Sequence, residues 1–219
     1  MESIKPIRFV VFDNNGTALD DLHVAYGSVC EIFRSFGINP PSQTTYRREI
    51  TADFMQFYWK HGIAPTITGD ELNVIRKRYY IEHMREARYR PDFKQLARYL
   101  KGEDVQRGVC SAEQHAVLVD FLIGEGLHRY FPPSLIVGSA WPKKKPYLSV
   151  LAKKANVDPA YCAYVGDTVD DIEAAREAGY QAVAFAHDTG YNDEARLRKA
   201  GPDFVVHSFV ELQQRLILE

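Results

Sequence analysis

The sequence predicts an α/β fold in which a doubly wound, mainly parallel sheet carries an inserted α-helical domain. Two observations indicate the sheet: an apolar run at Ile7–Asp13, and an alternation of short apolar runs with helical patterns from residue 91 onwards. Such alternation is typical of successive βαβ units. The third observation is that residues 19–90 have helical spacing and no predicted strand. We therefore expect a core of residues 1–18 and 91–219 and a helical cap of residues 19–90.

Each predicted core element follows from a local pattern of hydrophobicity. The predicted strands are the apolar runs Ile7–Asp13, Gln106–Cys110, Leu135–Val137, Cys162–Val165, Ala182–Phe185 and Phe204–Val206. The helical patterns between them lie at about 113–124, 146–155, 170–178, 193–200 and 208–218.

Three helices are predicted in the cap. Apolar side chains recur at helical spacing over residues 22–36, and Thr51 is predicted to cap a second helix. Thr68-Gly-Asp-Glu71 has the form of a capping box and opens a third helix that reaches about residue 88. The two predicted crossings between core and cap lie near residues 17–20 and 88–92.

Composition and charge exclude several classes of function. A net charge of −2 gives no basis for neutralising a nucleic-acid backbone. No apolar stretch reaches the roughly 20 residues needed to span a bilayer, and residues 1–5 do not have the pattern of a signal peptide. Cys30, Cys110 and Cys162 are far apart and lie in apolar runs, which favours reduced core residues. We expect a cytoplasmic protein with no nucleic-acid or membrane partner.

Two predicted strands end in an acidic residue. The first delivers Asp13 and continues as Asn14-Asn15-Gly16-Thr17, and the second ends at Gly166-Asp167, shortly before Asp170 and Asp171 at a predicted helix start. Capping of that helix would explain one or two of these acids, but not why both strands end in Asp. Because ligands bind at the carboxyl ends of parallel strands, we expect an oxygen-rich site there that suits magnesium.

With these motifs the chain resembles the haloacid dehalogenase-like superfamily of hydrolases, most of which are magnesium-dependent phosphatases. Four motifs match in the family's order, and the insertion lies where the family's helical cap falls. They are Asp13-Asn14-Asn15-Gly16-Thr17 for Asp-x-Asp-Gly-Thr, Ser111 after a strand, Lys145 before Pro146, and Gly166-Asp167 through Asp171. The resemblance implies a Rossmann-like core and a small phosphorylated substrate.

The resemblance also implies a role for each matching residue. Asp13 would attack phosphorus and form an aspartyl-phosphate that water later hydrolyses. Ser111 and Lys145 would bind phosphoryl oxygens, whereas Lys143 and Lys144 would be solvated charges.

The metal ligands are implied in the same way. Mg²⁺ would be held by the carboxylates of Asp13 and Asp167, by the main-chain carbonyl of Asn15 and by waters. Asp171, in preference to Asp170, would hold one of those waters.

Asn15 departs from the family's pattern, in which a second Asp protonates the leaving group and then activates water. An amide cannot relay a proton, and loss of such a catalyst typically costs ~10²–10⁴ in rate. Three explanations stay open: a leaving group that needs little protonation, such as that of an anhydride or acyl phosphate; a slow phosphatase or phospho-ligand-binding protein; or an engineered trap. On the sequence alone, Asn15→Asp is expected to restore ester hydrolysis.

The cap is expected to choose the substrate. His23, one turn into the first cap helix, and Arg47 are candidates to face the site, although a surface or cap-core position is the commoner outcome for such residues. The Tyr- and Arg-rich segment 76–90 could indicate RNA contact, but its interleaved Glu82 and Glu86 favour a solvated helix face.

Overall fold

A six-stranded parallel sheet lies at the centre of the computed structural model, which describes residues 6–51, 53–140 and 144–217. The eight strands in chain order are β1 Phe9–Phe12, β2 Leu19–Asp20, β3 Arg88–Tyr89, β4 Gln106–Cys110, β5 Ile136–Val137, β6 Cys162–Gly166, β7 Gln181–Phe185 and β8 Phe204–Val206. The sheet has the order β5-β4-β1-β6-β7-β8, and all its pairings are parallel. The predicted fold class is confirmed.

The described part of the chain contains ten α-helices. They are α1 Leu22–Ser35, α2 Gln43–Glu49, α3 Phe54–Lys60, α4 Gly69–His83, α5 Pro91–Gly102, α6 His115–Gly124, α7 Lys145–Ala155, α8 Val169–Ala178, α9 Glu194–Lys199 and α10 Phe209–Ile217.

Strand β1 divides the core into two packed layers. Val10 and Phe12 face a hydrophobic cluster with α5, α6 and α10, whereas Phe9 and Val11 face a second cluster with α7 and α8. All four side chains are fully buried, as the period of two in a strand covered on both faces requires. The chain leaves β1 for β4 and β5 on one side and returns to β6 on the other, so the strand order reverses at β1. In doubly wound sheets this reversal creates a crevice at the carboxyl ends of the strands.

A third hydrophobic cluster belongs to the inserted helices. It is formed by buried residues between Leu22 and Leu72, with Phe33, Phe57 and Tyr58 at its centre. The predicted capping box at Thr68 and Glu71 is confirmed, with both reciprocal hydrogen bonds present. The division into core and cap at residues 19–90 itself stays a prediction.

The prediction that residues 19–90 contain no strand is wrong at both ends of the segment. β2 and β3 form an antiparallel pair, Leu19 with Tyr89 and Asp20 with Arg88, where the two crossing segments lie side by side. Strands of two residues are too short to produce a periodic signal.

Three details of the helices also differ from prediction. Helix α2 was not predicted because Tyr46 is its one buried residue. Helix α5 was missed although Phe93, Leu96, Ala97 and Leu100 follow helical spacing and Pro91 occupies its first turn. Thr51 does not cap α3, since the N-cap residue is Asp53 and the Thr51 hydroxyl donates to the Asp53 carbonyl at 3.1 Å.

The remaining global predictions concern cysteines and membranes. Cys30, Cys110 and Cys162 are buried, and none forms a disulfide within the described residues. Over the same part of the chain, no helix is both long enough and apolar enough to cross a membrane.

Candidate active site

The first motif turns sharply at the carboxyl end of β1. The Asp13 N–H donates to the Val165 carbonyl at 2.9 Å, which extends the pairing with β6 by one residue beyond the strand. Gly16 then adopts a φ of +76°, and a Cβ on this residue would lie 2.3 Å from Asp167 Oδ2. Glycine is therefore required both by the left-handed backbone and by the close approach of the turn to Asp167.

Three carboxylates meet at this edge of the sheet. Asp13, Asp167 and Asp171 are buried, and one carboxylate oxygen from each lies within 4.8 Å of the others. The Thr17 hydroxyl donates to Asp167 Oδ1 at 2.7 Å, and the Tyr191 N–H donates to Asp167 Oδ2 at 2.5 Å. The sequence therefore correctly predicted that the two strand ends bring their acids together.

Asp171 serves helix capping and the carboxylate cluster at the same time. Its Oδ2 accepts the Thr168 N–H at 3.1 Å and completes the capping box of α8. Its Oδ1 lies in the cluster and accepts the Tyr164 hydroxyl at 3.2 Å. Asp170 is half-buried at the helix start and is not a member of the cluster. The structure thus places the preferred residue, Asp171, beside Asp13 and Asp167.

Lys144, and not the predicted Lys145, reaches the cluster. Its ammonium group lies 2.7 Å from Asp13 Oδ1 and 2.6 Å from Asp171 Oδ1. Lys145 Nζ lies 3.6 Å from Glu177, with its side chain half-exposed. Since consecutive residues of a helical turn point roughly 100° apart, only one lysine of the pair can face the cluster. Lys143 lies outside the described residues.

Burial and mutual repulsion dominate the electrostatics of the cluster. Burial raises the pKa of Asp13 to about 8, against the opposing effect of Lys144 and with repulsion from Asp171 and Asp167 added. Burial and repulsion from Asp171 raise the pKa of Asp167 to about 7. Burial alone would lower the pKa of Lys144, but Asp13 and Asp171 outweigh it and raise this pKa.

These residues fit a hard divalent cation. Three buried carboxyl groups and the ammonium of Lys144 form a site lined by oxygen atoms, and with all four groups ionised the site would carry a net charge of −2. Burying such charge without compensation is costly, and carboxylate oxygens are the ligands that Mg²⁺ accepts.

Ser111 lies where the second motif predicts it. It follows β4, is 1% exposed and accepts the Glu113 N–H at 3.1 Å. Its hydroxyl lies 3.4 Å from Asn15 Oδ1, so the ends of β1 and β4 also converge.

Asn15 is held by partners that sequence reasoning missed. Its Nδ2 donates to Asp21 Oδ2 at 2.7 Å and to the Tyr80 hydroxyl at 2.8 Å. Asp21 is fully buried and also accepts the Tyr191 hydroxyl at 2.9 Å. An Asp before a helix normally predicts an N-cap, yet the Asp21 side chain forms no capping hydrogen bond with α1. Tyr80 lies in the segment predicted to be a solvated face.

Arg90 is another residue that the sequence did not single out. It is 5% exposed and donates to the carbonyls of Gly16 at 3.0 Å and Thr17 at 2.8 Å. A guanidinium group with several donors is suited to satisfy such carbonyls together. Arg90 therefore fixes the first-motif turn from a position immediately before α5.

The two cap candidates lie in different places. His23 is exposed on α1. Arg47 binds backbone carbonyls of the loop after β7, with its Nε 2.7 Å from Gly190 O and its Nη2 2.9 Å from His187 O. The guanidinium group of Arg47 thus connects α2 to a loop that also carries Tyr191.

Comparisons with known proteins agree with this architecture and these motifs. The family model described as haloacid dehalogenase-like hydrolase matches residues 10–185. The chain belongs to this family. It is 26% identical over 210 residues to a phosphoglycolate phosphatase of Synechococcus elongatus, covering 95% of this chain and 96% of the relative. It is 25% identical to phosphoglycolate phosphatase 1 of Pseudomonas aeruginosa over 94% and 78% of the two chains.

Among solved structures, a hydrolase from Pseudomonas syringae superposes with a TM-score of 0.76. That likeness covers 97% of this chain and 99% of the other at 19% identity, and it supports the fold. With the family and its phosphatase relatives, the chain is a phosphatase of the haloacid dehalogenase-like class.

The two neighbouring lysines give a matched test of the site. Lys144→Met should reduce kcat/KM for p-nitrophenyl phosphate by ~10² or more, because it removes the positive charge beside Asp13 and Asp171 that would stabilise a transferred phosphoryl group. Lys145→Met removes the same charge from an exposed pair, and we expect little change. Equal losses in the two variants would contradict the assignment of Lys144.

The raised pKa values predict how stability depends on pH. In the folded protein Asp13 and Asp167 bind protons up to about pH 8 and 7, whereas unfolded carboxyl groups release them near pH 4. The folded state therefore binds more protons in this window, so the metal-free protein should become less stable as pH rises from about 4 to 8. Thermal unfolding at a series of pH values measures this slope. Asp167→Asn should flatten it, and an unchanged slope would contradict the assignment of the buried charge.

Proposed function

We propose that this phosphatase transfers the phosphoryl group of a small phosphorylated substrate first to Asp13 and then to water, with Mg²⁺ as cofactor. The observation that carries the proposal is the buried cluster of Asp13, Asp167 and Asp171, balanced in part by Lys144 at the crevice end of the sheet. The family and its phosphatase relatives support phosphoryl chemistry at this position.

The proposed metal ligands are the carboxylates of Asp13 and Asp167 and the main-chain carbonyl of Asn15, with Asp171 holding a water. When bound, Mg²⁺ would offset the repulsion among the carboxylates and the negative charge of the phosphoryl group. The amide at position 15 leaves this set intact, because the ligand there is a main-chain oxygen.

Asp13 is the proposed nucleophile. Its carboxylate forms a bond to phosphorus as the bond from phosphorus to the leaving oxygen breaks, and the electron pair departs with that oxygen. Lys144 binds Asp13 Oδ1, so attack is assigned to Oδ2. Lys144 and Ser111 then stabilise the phosphoryl oxygens in flight. Water next attacks phosphorus, which releases phosphate and restores the Asp13 carboxylate.

Asn15 shapes the proposed substrate range. With no acid at this position, leaving groups that depart as stabilised anions should react fastest, as acyl phosphates and anhydrides do. Because two relatives are named phosphoglycolate phosphatases, 2-phosphoglycolate is the ester whose hydrolysis should be compared with that of acyl phosphates and anhydrides. We also propose that residues 19–90 act as the cap over this site and that the protein is cytoplasmic, consistent with buried cysteines that form no disulfide within the described residues.

A substrate panel tests the proposal directly. Steady-state rates for acetyl phosphate, an anhydride and 2-phosphoglycolate, each with Mg²⁺ and with a chelator, should show magnesium-dependent turnover of at least one compound. Saturable binding of phosphorylated compounds without turnover of any would favour the alternative of a phospho-ligand-binding protein.

Replacement of the nucleophile should abolish turnover. Asp13→Asn removes the attacking carboxylate and one proposed metal ligand, so no burst of leaving group should precede the steady state. The exposed Asp120 on α6 supplies the control Asp120→Asn, which should retain full activity. More than a few per cent of wild-type turnover in Asp13→Asn would rule out the covalent mechanism.

The neighbouring acids Asp170 and Asp171 of α8 give a matched test of the proposed metal site. Asp171→Asn should weaken magnesium activation more than Asp170→Asn, because only Asp171 lies in the cluster. The magnesium concentration for half-maximal activity measures the effect. A larger shift for Asp170→Asn would reverse the assignment.

A further inference from the structure

The side chain of Asn15 lies between the proposed reaction site and a buried acid. On one side, Nδ2 donates to Asp21 Oδ2 at 2.7 Å. On the other, Oδ1 lies 3.2 Å from Asn14 Nδ2 and 3.4 Å from Ser111 Oγ. Asn15 is thus the direct link between Asp21 and the residues that would hold the phosphoryl group.

The surroundings of Asp21 are built from hydrogen-bond donors. Its Oδ1 accepts the Gly16 N–H at 2.8 Å, and its Oδ2 accepts the Tyr191 hydroxyl as well as Asn15 Nδ2. The residue is fully buried, so each donor replaces a lost water contact. A carboxylate at position 15 would remove one donor and set two acidic groups against each other, which is costly in a buried site.

Asp21 also decides which way the Asn15 amide faces. An amide has distinct donor and acceptor ends, and a carboxylate oxygen at 2.7 Å requires the NH₂ end. The carbonyl end is therefore turned toward Ser111. That oxygen can accept a hydrogen bond from water but cannot give a proton to a leaving group.

We propose that Asp21 is a positioning residue that keeps a carboxylate out of position 15 and orients the Asn15 amide oxygen to hold the water that hydrolyses the aspartyl-phosphate. The inference rests on the proposed function for the identity of that water. The family's motif has its second acid at the position of Asn15. In this chain the amide lies at position 15 and the acid lies at position 21, so the two residues form an exchanged pair.

This pair changes what is expected of the single substitution Asn15→Asp. From the sequence alone the new acid should restore ester hydrolysis. In the structure it would meet Asp21, so we expect lower stability and little gain. The exchange variant Asn15→Asp/Asp21→Asn keeps one acid and one amide in contact and turns the acid toward the reaction site.

A double-mutant cycle tests the coupling. Wild type, Asn15→Asp, Asp21→Asn and the exchange variant are compared by thermal unfolding and by kcat/KM for acetyl phosphate and 2-phosphoglycolate at saturating Mg²⁺. Asn15→Asp should lower the unfolding midpoint by about 2–4 °C or more, and the exchange variant should recover it. Only the exchange variant should gain ester hydrolysis, by ~10² or more over wild type, while hydrolysis of acetyl phosphate changes little.

Asp20 supplies a matched control one residue away. Its carboxylate is 38% exposed and lies 3.4 Å from Arg90. Asn15→Asp/Asp20→Asn has the same formal charge as the exchange variant but keeps Asp21, so it should recover neither the midpoint nor ester hydrolysis. This comparison holds even if Asp21→Asn alone does not fold.

The inference would be overturned if the midpoint changes of the two single variants add up to that of the exchange variant. It would also be overturned if Asn15→Asp and the exchange variant gain ester hydrolysis equally. If no protein of the cycle turns over any substrate but the midpoints are strongly non-additive, the pairing of Asn15 with Asp21 is supported and the proposed function fails instead.

Discussion

Repulsion among buried carboxylates at one edge of the sheet is the constraint on which the site depends. Asp13 and Asp167 meet because β1 and β6 are parallel neighbours, and Asp171 joins them from α8. Each carboxyl group has a close partner: the ammonium of Lys144 lies beside Asp13 and Asp171, and the Thr17 hydroxyl donates to Asp167. Burial and repulsion still raise the pKa of Asp13 and of Asp167 well above the usual range, so these groups take up protons in the metal-free protein, whereas a divalent cation would favour their ionised forms.

A second network ties residues 19–90 to this edge of the sheet through two arginines. Arg90 and Arg47 are bound to backbone carbonyls, of the first-motif turn and of the loop after β7 respectively. That loop carries Tyr191, whose N–H reaches Asp167 and whose hydroxyl reaches Asp21. The same loop therefore contacts α2, the carboxylate cluster and Asp21.

Much of the fold followed from local pattern. Buried strands covered on both faces appear as continuous apolar runs, so all six strands of the main sheet were predicted. Helix α5 has the apolar spacing of a helix although it is not among the predicted elements, whereas α2, β2 and β3 are too short or too polar to produce such a pattern. Their conformations depend on tertiary contacts, which a local sequence pattern does not reveal.

The sequence by itself predicted that Asp13 and Asp167 converge, because a residue that ends a parallel strand has a fixed place at the sheet edge, and the family resemblance added Ser111 to that site. Tertiary structure decided which lysine enters the site, since Lys144 and Lys145 differ only in direction at the start of α7. It also decided the partners of Asn15, because Tyr80 lies 65 positions away in the chain. Asp21 lies only six positions from Asn15, but packing, and not spacing, turns its side chain away from the cap of α1.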